Sequence, residues 1–170
     1  SRRQRQMCIR DRDISLSRNL SLLISELQSN GVGPILGGYV PIQEEPIWFK
    51  ELTSTQFEYS LVHMHNEIKL SYHEINFDKL KTGDFDLRLS DEILNRSITP
   101  DFILVPGLAF TRKMERLGRG RAYFDSYMKN FKGVKIGIFY SLQEVENVFS
   151  EPHDEYLNYI VTDKEIIRGI

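Results

Sequence analysis

Between Arg112 and Arg121 five cations, Arg112, Lys113, Arg116, Arg119 and Arg121, stand against one acid, Glu115. Gly107, Gly118 and Gly120 share the stretch. The segment around them reads F-I-L-V-P-G-L-A-F-T-R-K-M-E-R-L-G-R-G-R-A-Y-F-D, from Phe102 to Asp125. Its pattern predicts a strand ending at Pro106, a long loop, and a helix beginning near Arg121. Ligands of open α/β sheets bind at the carboxyl edge of such strands. A helix N-terminus there offers unpaired N–H groups and partial positive charge. Gly118 and Gly120 let backbone amides approach an anion closely, and Arg116, Arg119 and Arg121 add fork-shaped donors suited to phosphate oxygens. Asp125, one turn into the helix, is well placed to hold Mg²⁺, which reaches protein through one or two carboxylates plus phosphates. The residues therefore read as a phosphate or triphosphate site. The plainer alternatives are a solvated basic turn, glycines serving a tight loop, and an acid answering the helix dipole. Two better-known phosphate motifs are absent: there is no G-x-x-x-x-G-K-[ST], and Gly118-x-Gly120 is followed by Tyr123 rather than a third glycine.

The elements that must position this loop come from a chain of 170 residues, long enough for one domain with a substantial core. With 41% apolar and 27% charged residues it reads as globular rather than disordered. Its apolar runs, such as Phe102–Val105, are too short to span a membrane. A net charge of −2 argues against nucleic acid as the main partner. The charge is nonetheless uneven, with five arginines in residues 1–12 and seven acids against one Lys in residues 144–165. A single cysteine, Cys8, excludes an intrachain disulfide, and with no apolar signal segment it suggests a reducing compartment such as the cytoplasm.

Residues 1–12 lack an apolar period and read as a flexible or non-native leader, leaving 13–170 as a single domain. Leu20, Leu23, Ile24 and Leu27 predict a helix over Ser17 to Asn30. Strands are expected at Gly33–Val40, Phe57–Met64, Glu67–His73, Phe102–Val105, Val134–Tyr140 and Tyr159–Val161. Pro46 suggests a helix carrying Trp48, Phe49 and Leu52. Shorter helices are expected around Asp91–Asn95, over Arg121–Phe131, and across Leu142, Val145 and Phe149. Thr162 with Glu165 reads as a capped last helical turn. Strands alternating with helices indicate an α/β domain with a mostly parallel sheet. His63, His65 and His73 could form a metal group or be surface histidines on an edge strand, and no acid or Cys completes a site. His153-Asp154 looks like a base and its orienter, with a structural or rim role as the favoured alternative.

Arg116–Asp125, R-L-G-R-G-R-A-Y-F-D, resembles the R-L-G-R-G-K-G-Y-Y-D motif of the 5-formyltetrahydrofolate cyclo-ligase family. The preceding D-F-I-L-V-P-G-L-A-F (Asp101–Phe110) is similar to that family's D-L-I-L-V-P-G-x-A-F. Tyr39–Glu45 is similar to its Y-x-P-x-x-x-E. The tail with Gly137, Gln143, Glu151-Pro152-His153-Asp154 and Ile160-Val161-Thr162 resembles its closing pattern. The likeness spans about residues 17–168.

The resemblance implies a three-layer α/β/α domain of the kind shared with ribose-5-phosphate isomerase and CoA-transferase-like domains. It implies an ATP- and Mg²⁺-dependent ligase that cyclises 5-formyltetrahydrofolate, in some cases polyglutamylated, to 5,10-methenyltetrahydrofolate with release of ADP and phosphate. By the same resemblance Arg116, Leu117, Gly118, Arg119, Gly120, Arg121, Ala122, Tyr123 and Phe124 would surround ATP. Glu45 and Arg119, Gly120, Arg121, Ala122 and Tyr123 would face the folate, Glu45 at the pterin with Tyr123, Phe124 or Trp48 packing on the ring. Arg119, Arg121 and Tyr123 would carry catalysis, and Asp125 would hold Mg²⁺. A cytoplasmic monomer without nucleic-acid or membrane partners is expected.

The chain departs from the family pattern at Arg121 (Lys), Ala122 (Gly), Phe124 (Tyr), Thr111 (Asp) and Met114 (Gly). An ordinary helical φ is expected of Ala122, since it opens a helix. The family's N-terminal helix brings Lys and Arg to the phosphates; here either Arg2, Arg3 or Arg5 would stand in, or those groups are missing. These departures motivate the alternative of a non-catalytic or weakened nucleotide- or folate-binding relative. An RNA-associated module using the basic loop is a third reading, opposed by the acidic C-terminal stretch.

Overall fold

The computed structural model describes residues 2–65, 69–83, 95–120, 122–151 and 154–169, with backbone alone over 2–8. The first helix, α1 (Arg2–Ser29), buries Leu16, Leu20, Leu23, Ile24 and Leu27 on one face. These are the i, i+4, i+7, i+8, i+11 positions of an amphipathic stripe. Its end is a Schellman motif: Val32 N–H donates to Leu27 O and Gly31 N–H to Gln28 O. Gly31 makes this possible with φ +89°, a left-handed turn that costs glycine nothing. The helix expected from Ser17 therefore starts much earlier, and residues 2–12 continue it.

Seven strands form one sheet: β1 (Ile35–Gly38), β2 (Glu58–Met64), β3 (Leu70–Glu74), β4 (Phe102–Val105), β7 (Val134–Ile138), β8 (Tyr159–Val161) and β9 (Ile166–Arg168), in the order β3-β2-β1-β4-β7-β8-β9. The five inner strands run parallel, and β3 and β9 pair antiparallel at the edges. All four residues of β4 are buried, as a strand covered on both faces requires. Phe102 and Leu104 pack with α1, whereas Ile103 and Val105 pack with Phe124 and Met128 of α3 (Tyr123–Met128). Two cores thus sandwich the sheet, with α1 and α2 (Phe77–Lys81) on one side and α3 on the other. A small hairpin, β5 (Ala109–Phe110) with β6 (Arg116–Leu117), rises after β4. This is the mixed, mostly parallel α/β sheet expected.

Several local expectations fail, each for a tertiary reason. No helix follows Pro46; residues 48–51 form a turn. Two buried side chains of α1, one turn apart, take the backbone donors there. Asp13 Oδ1 accepts from Ile47 N–H (3.2 Å) and Ser17 Oγ from Glu51 N–H (2.8 Å). Around Leu142 only a 3₁₀ turn, Ser141–Gln143, forms. Val145 N–H donates instead to Phe110 O at 2.8 Å, leaving Val145 and Phe149 exposed. Thr162 does not open a helix either. Its hydroxyl accepts from Lys164 and Glu165 N–H in the turn between β8 and β9, where Ile167 pairs with Ile160. The helix α2 was not foreseen; Asn76 caps it by accepting from Asp78 N–H. Positions 67 and 68 of the expected strand at Glu67–His73 and 91–94 of the helix at Asp91–Asn95 lie outside the described residues.

Candidate functional site

At the carboxyl edge of β4, Pro106 and Gly107 lead into the hairpin, and the chain returns through Gly118, Arg119 and Gly120 to α3. A cavity of about 720 Å³ opens there, bounded by Tyr39 and Glu45 after β1, Val62 and Met64 of β2, the 116–125 loop, and Val148, Phe149, Glu151 and Asp154. That size suits a substantial small-molecule ligand. Gly120 turns the loop with φ +90°.

Arg116 is the buried arm of the loop, with its side chain 5% exposed. It donates to Pro106 O (2.9 Å) and to Asp125 Oδ2 (3.3 Å), and its guanidinium lies 5.7 Å from the Phe124 ring centroid. Burial pushes its pKa down, opposed by the charges of Asp125 and Asp154. Its buried Nε has no hydrogen-bond partner. Arg119, by contrast, is 43% exposed and donates from Nε to Glu45 Oε1 at 3.1 Å. The loop expected to hold phosphate thus touches the acid expected to hold the pterin, across 74 positions of sequence. Tyr123 also lines the cavity, its hydroxyl donating to His65 O at 3.1 Å.

Burial raises the pKa of Glu45, with Ile42 N–H and Arg119 pulling it back. A carboxyl whose folded pKa lies above its unfolded value binds its proton more tightly when folded. Stability therefore falls as pH rises through the ordinary carboxylate range. Glu45→Gln is expected to make thermal stability decline less steeply over that range. Asp13, also raised by burial, acts equally in parent and variant. Melting curves across acidic to neutral pH check this, and an identical slope in the two proteins refutes it.

Other expectations are corrected. Ala122 is left-handed, with φ 53° and ψ 18°, not helical, because the loop must reverse before α3 begins. For a residue with a Cβ that conformation costs about 1–2 kcal/mol. Ala122→Gly is expected to stabilise by about 0.5–1 kcal/mol once glycine's unfolded-state entropy is subtracted; a shift of the urea midpoint to higher concentration is the readout. Met114 is also left-handed, at φ 67°. Trp48 is fully buried and donates from Nε1 to Tyr39 O, so it packs in the core rather than on a ligand. Phe124 is mostly buried beneath Arg116, yet it lines the cavity together with Tyr39, Tyr123 and Phe149. His73 is fully buried rather than on the surface, and Ser71 Oγ bridges it to His65 at 2.7 Å on each side. Among the described residues no group of three or more His, Cys, Asp or Glu could hold a metal. Arg121 and His153 lie outside the described residues.

Tyr39, Val62, Met64, Val148 and Phe149 were not foreseen as cavity walls. The apolar character of Val62, Met64, Val148 and Phe149 carries no signal of a site; Tyr39 did have one, at the head of the Y-x-P-x-x-x-E string, and Glu151 and Asp154 in the E-P-H-D string.

A mostly parallel sheet whose carboxyl edge carries a glycine- and arginine-bearing loop beside an open cavity defines an α/β protein with the ligand-site placement usual for that fold class. The model of the 5-formyltetrahydrofolate cyclo-ligase family matches residues 62–163, and the chain belongs to that family. The chain is 30% identical over 94 residues, 48% of its length, to the probable 5-formyltetrahydrofolate cyclo-ligase of Schizosaccharomyces pombe, covering 46% of that protein. It is 25% identical over 91% of its length to the mitochondrial 5-formyltetrahydrofolate cyclo-ligase of Arabidopsis thaliana, covering 56% of that protein. The chain thus spans about half the length of the curated relatives it matches. The fold is shared with a 5,10-methenyltetrahydrofolate synthetase from Mycoplasma pneumoniae (TM-score 0.70, 20% identity, 92% of this chain and 88% of that one). It is also shared with the corresponding synthetase of Aquifex aeolicus (TM-score 0.66, 26% identity, 90% and 80%). Among the described residues no helix is long and apolar enough to cross a membrane.

Proposed function

We propose that this chain cyclises 5-formyltetrahydrofolate to 5,10-methenyltetrahydrofolate at the expense of ATP, as a monomer in a reducing compartment such as the cytoplasm. The observation that carries the reading is the 3.1 Å pair between Arg119 and Glu45. It joins the family's phosphate loop to the acid suited to pterin N–H donors, on the wall of one cavity.

A formamide oxygen is a poor leaving group. In the proposed reaction that oxygen attacks the γ-phosphorus of ATP and ADP departs. N10 then attacks the activated formyl carbon and loses its proton, and phosphate leaves with the former formyl oxygen. Phosphoryl transfer asks the protein mainly for positioning and charge neutralisation, which Arg119, the loop amides and Arg121 would supply. Tyr123 would lie along the pterin ring. Glu45 would accept from the pterin, for which it must be ionised, and Arg119 favours that state. No protein nucleophile is needed.

Asp125 and Asp154 both line the cavity and both act on the Arg116 charge; they would hold a Mg²⁺, an ion that needs only one or two protein carboxylates. When bound it would offset the phosphate charge. Because Asp125 also pairs with buried Arg116, Asp125→Asn, which keeps a hydrogen-bonding oxygen, is the informative variant.

The test is absorbance of the 5,10-methenyl chromophore on mixing the chain with 5-formyltetrahydrofolate, Mg²⁺ and ATP. An ATP-dependent rise supports the reading; its absence sinks it. The strained Ala122 and Met114 favour a second reading, a binding relative without turnover. Binding of both substrates with no chromophore would select it.

A further inference from the structure

Phe149 is the most exposed of the chain's large apolar side chains among the described residues, at 84%. Its backbone is left-handed, φ 53°, a conformation that disfavours an aromatic residue. The strap that carries it is tied down on both sides. Val145 N–H donates to Phe110 O before it, and Ser150 Oγ to Glu115 Oε2 after it. Phe149 N–H itself donates to Asn147 Oδ1 at 2.6 Å. Neighbouring Val148 points into the fold and is 9% exposed. The strap therefore holds a strained backbone whose ring gains almost nothing from burial on folding. Phe149 also lines the 720 Å³ cavity, as do Glu45 and Asp154. Strain kept at a cavity mouth, with an apolar ring left in water, is the arrangement of a residue whose burial comes with a ligand.

We propose that Phe149 is a specificity-determining residue whose ring covers a flat aromatic ring of the substrate seated in the cavity. The proposal rests on the function above. Two sources share the chemistry: the purine of the nucleotide and the ring system of the folate. Either presents a π face to an aromatic edge or face.

Equilibrium binding to the full chain tests it, with 5-formyltetrahydrofolate, a non-hydrolysable ATP analogue and inorganic tripolyphosphate each offered alone. Phe149→Ala is expected to weaken one of the two ring-bearing ligands about tenfold, in the range for stacking a ring on an aromatic side chain. The ligand weakened identifies the ring. Phe149→Tyr is expected to retain affinity within about twofold, since the ring and its stacking face remain. Tripolyphosphate, which has no ring, is expected to bind Phe149→Ala and the parent equally. Phe149→Gly is expected to melt higher than the parent while binding that same ligand as weakly as Phe149→Ala, because glycine relieves the left-handed strain and removes the ring. Unchanged affinity of Phe149→Ala for both ring-bearing ligands, when the parent binds them, overturns this proposal and leaves the function standing. An equal loss for tripolyphosphate also overturns it, since that loss reports distortion of the loop. A parent that binds neither ring-bearing ligand overturns both readings.

Discussion

Arg116→Leu is expected to destabilise the chain by about 3 kcal/mol, the lower end for breaking a buried ion pair from one side. The guanidinium is almost fully enclosed. It ties the exit of β4, through Pro106 O, to the first turn of α3, through Asp125. Leucine fills part of the space over Phe124 but leaves Pro106 O without its donor and Asp125 without its cation. Asp125 keeps 17% of its side chain in contact with solvent, which is why the lower end of the range applies. At about 2–4 °C per kcal/mol for a chain of this size, the melting temperature falls by roughly 6–12 °C. Arg116→Lys recovers little, because an ammonium cannot serve both acceptors with the fork geometry of arginine. An Arg116→Leu protein that melts with the parent would show that the pair contributes nothing to the fold.

Arg119→Ala is expected to behave in the opposite way. Its side chain is 43% exposed, and an ion pair open to water contributes about 0–1 kcal/mol, so the fold barely notices the change. Turnover is expected to fall about 10²–10³-fold, as when one preorganised donor is removed from developing transition-state charge. The loss includes a second effect. Arg119 lowers the pKa of Glu45, so without it less of Glu45 carries the charge that the proposed pterin contact requires at a given pH. Arg119→Ala combined with Glu45→Gln should therefore lose less than the sum of the two single losses, the signature of residues acting through each other. Steady-state rates for the parent, both single variants and the double variant measure this. Additive losses would remove the coupling, and full activity in Arg119→Ala would remove the arginine from the reaction.

These two arginines stand three residues apart in one motif, and their roles divide along a line that the motif does not draw. What the sequence by itself determined is local and periodic. The unbroken apolar run Phe102–Val105 specifies a strand covered on both faces, and its Pro106-Gly107 exit specifies where that strand stops. The stripe Leu20, Leu23, Ile24, Leu27 specifies the buried face of α1, and Asn30-Gly31 its end. The R-L-G-R-G string marks the family, and the Y-x-P-x-x-x-E string that ends at Glu45 resembles a second short motif of it. Each of these depends on neighbours within about a turn or a strand length.

The tertiary structure alone decided which polar groups found partners. Val145 would have continued a helix, but Phe110 O took its N–H. Residues after Pro46 would have formed another, but Asp13 and Ser17 of α1 captured their donors. Trp48, an aromatic that could have met a ligand, went to the core because Tyr39 O satisfied its indole N–H there. Ala122 took a left-handed backbone because the loop had to reverse between β6 and α3, whatever its residue preferred. Arg116 turned inward to Asp125 while Arg119 turned outward to Glu45. Propensities and periods are properties of a short window of chain. Hydrogen-bond satisfaction and burial are settled between segments far apart in sequence, and that competition shaped the cavity.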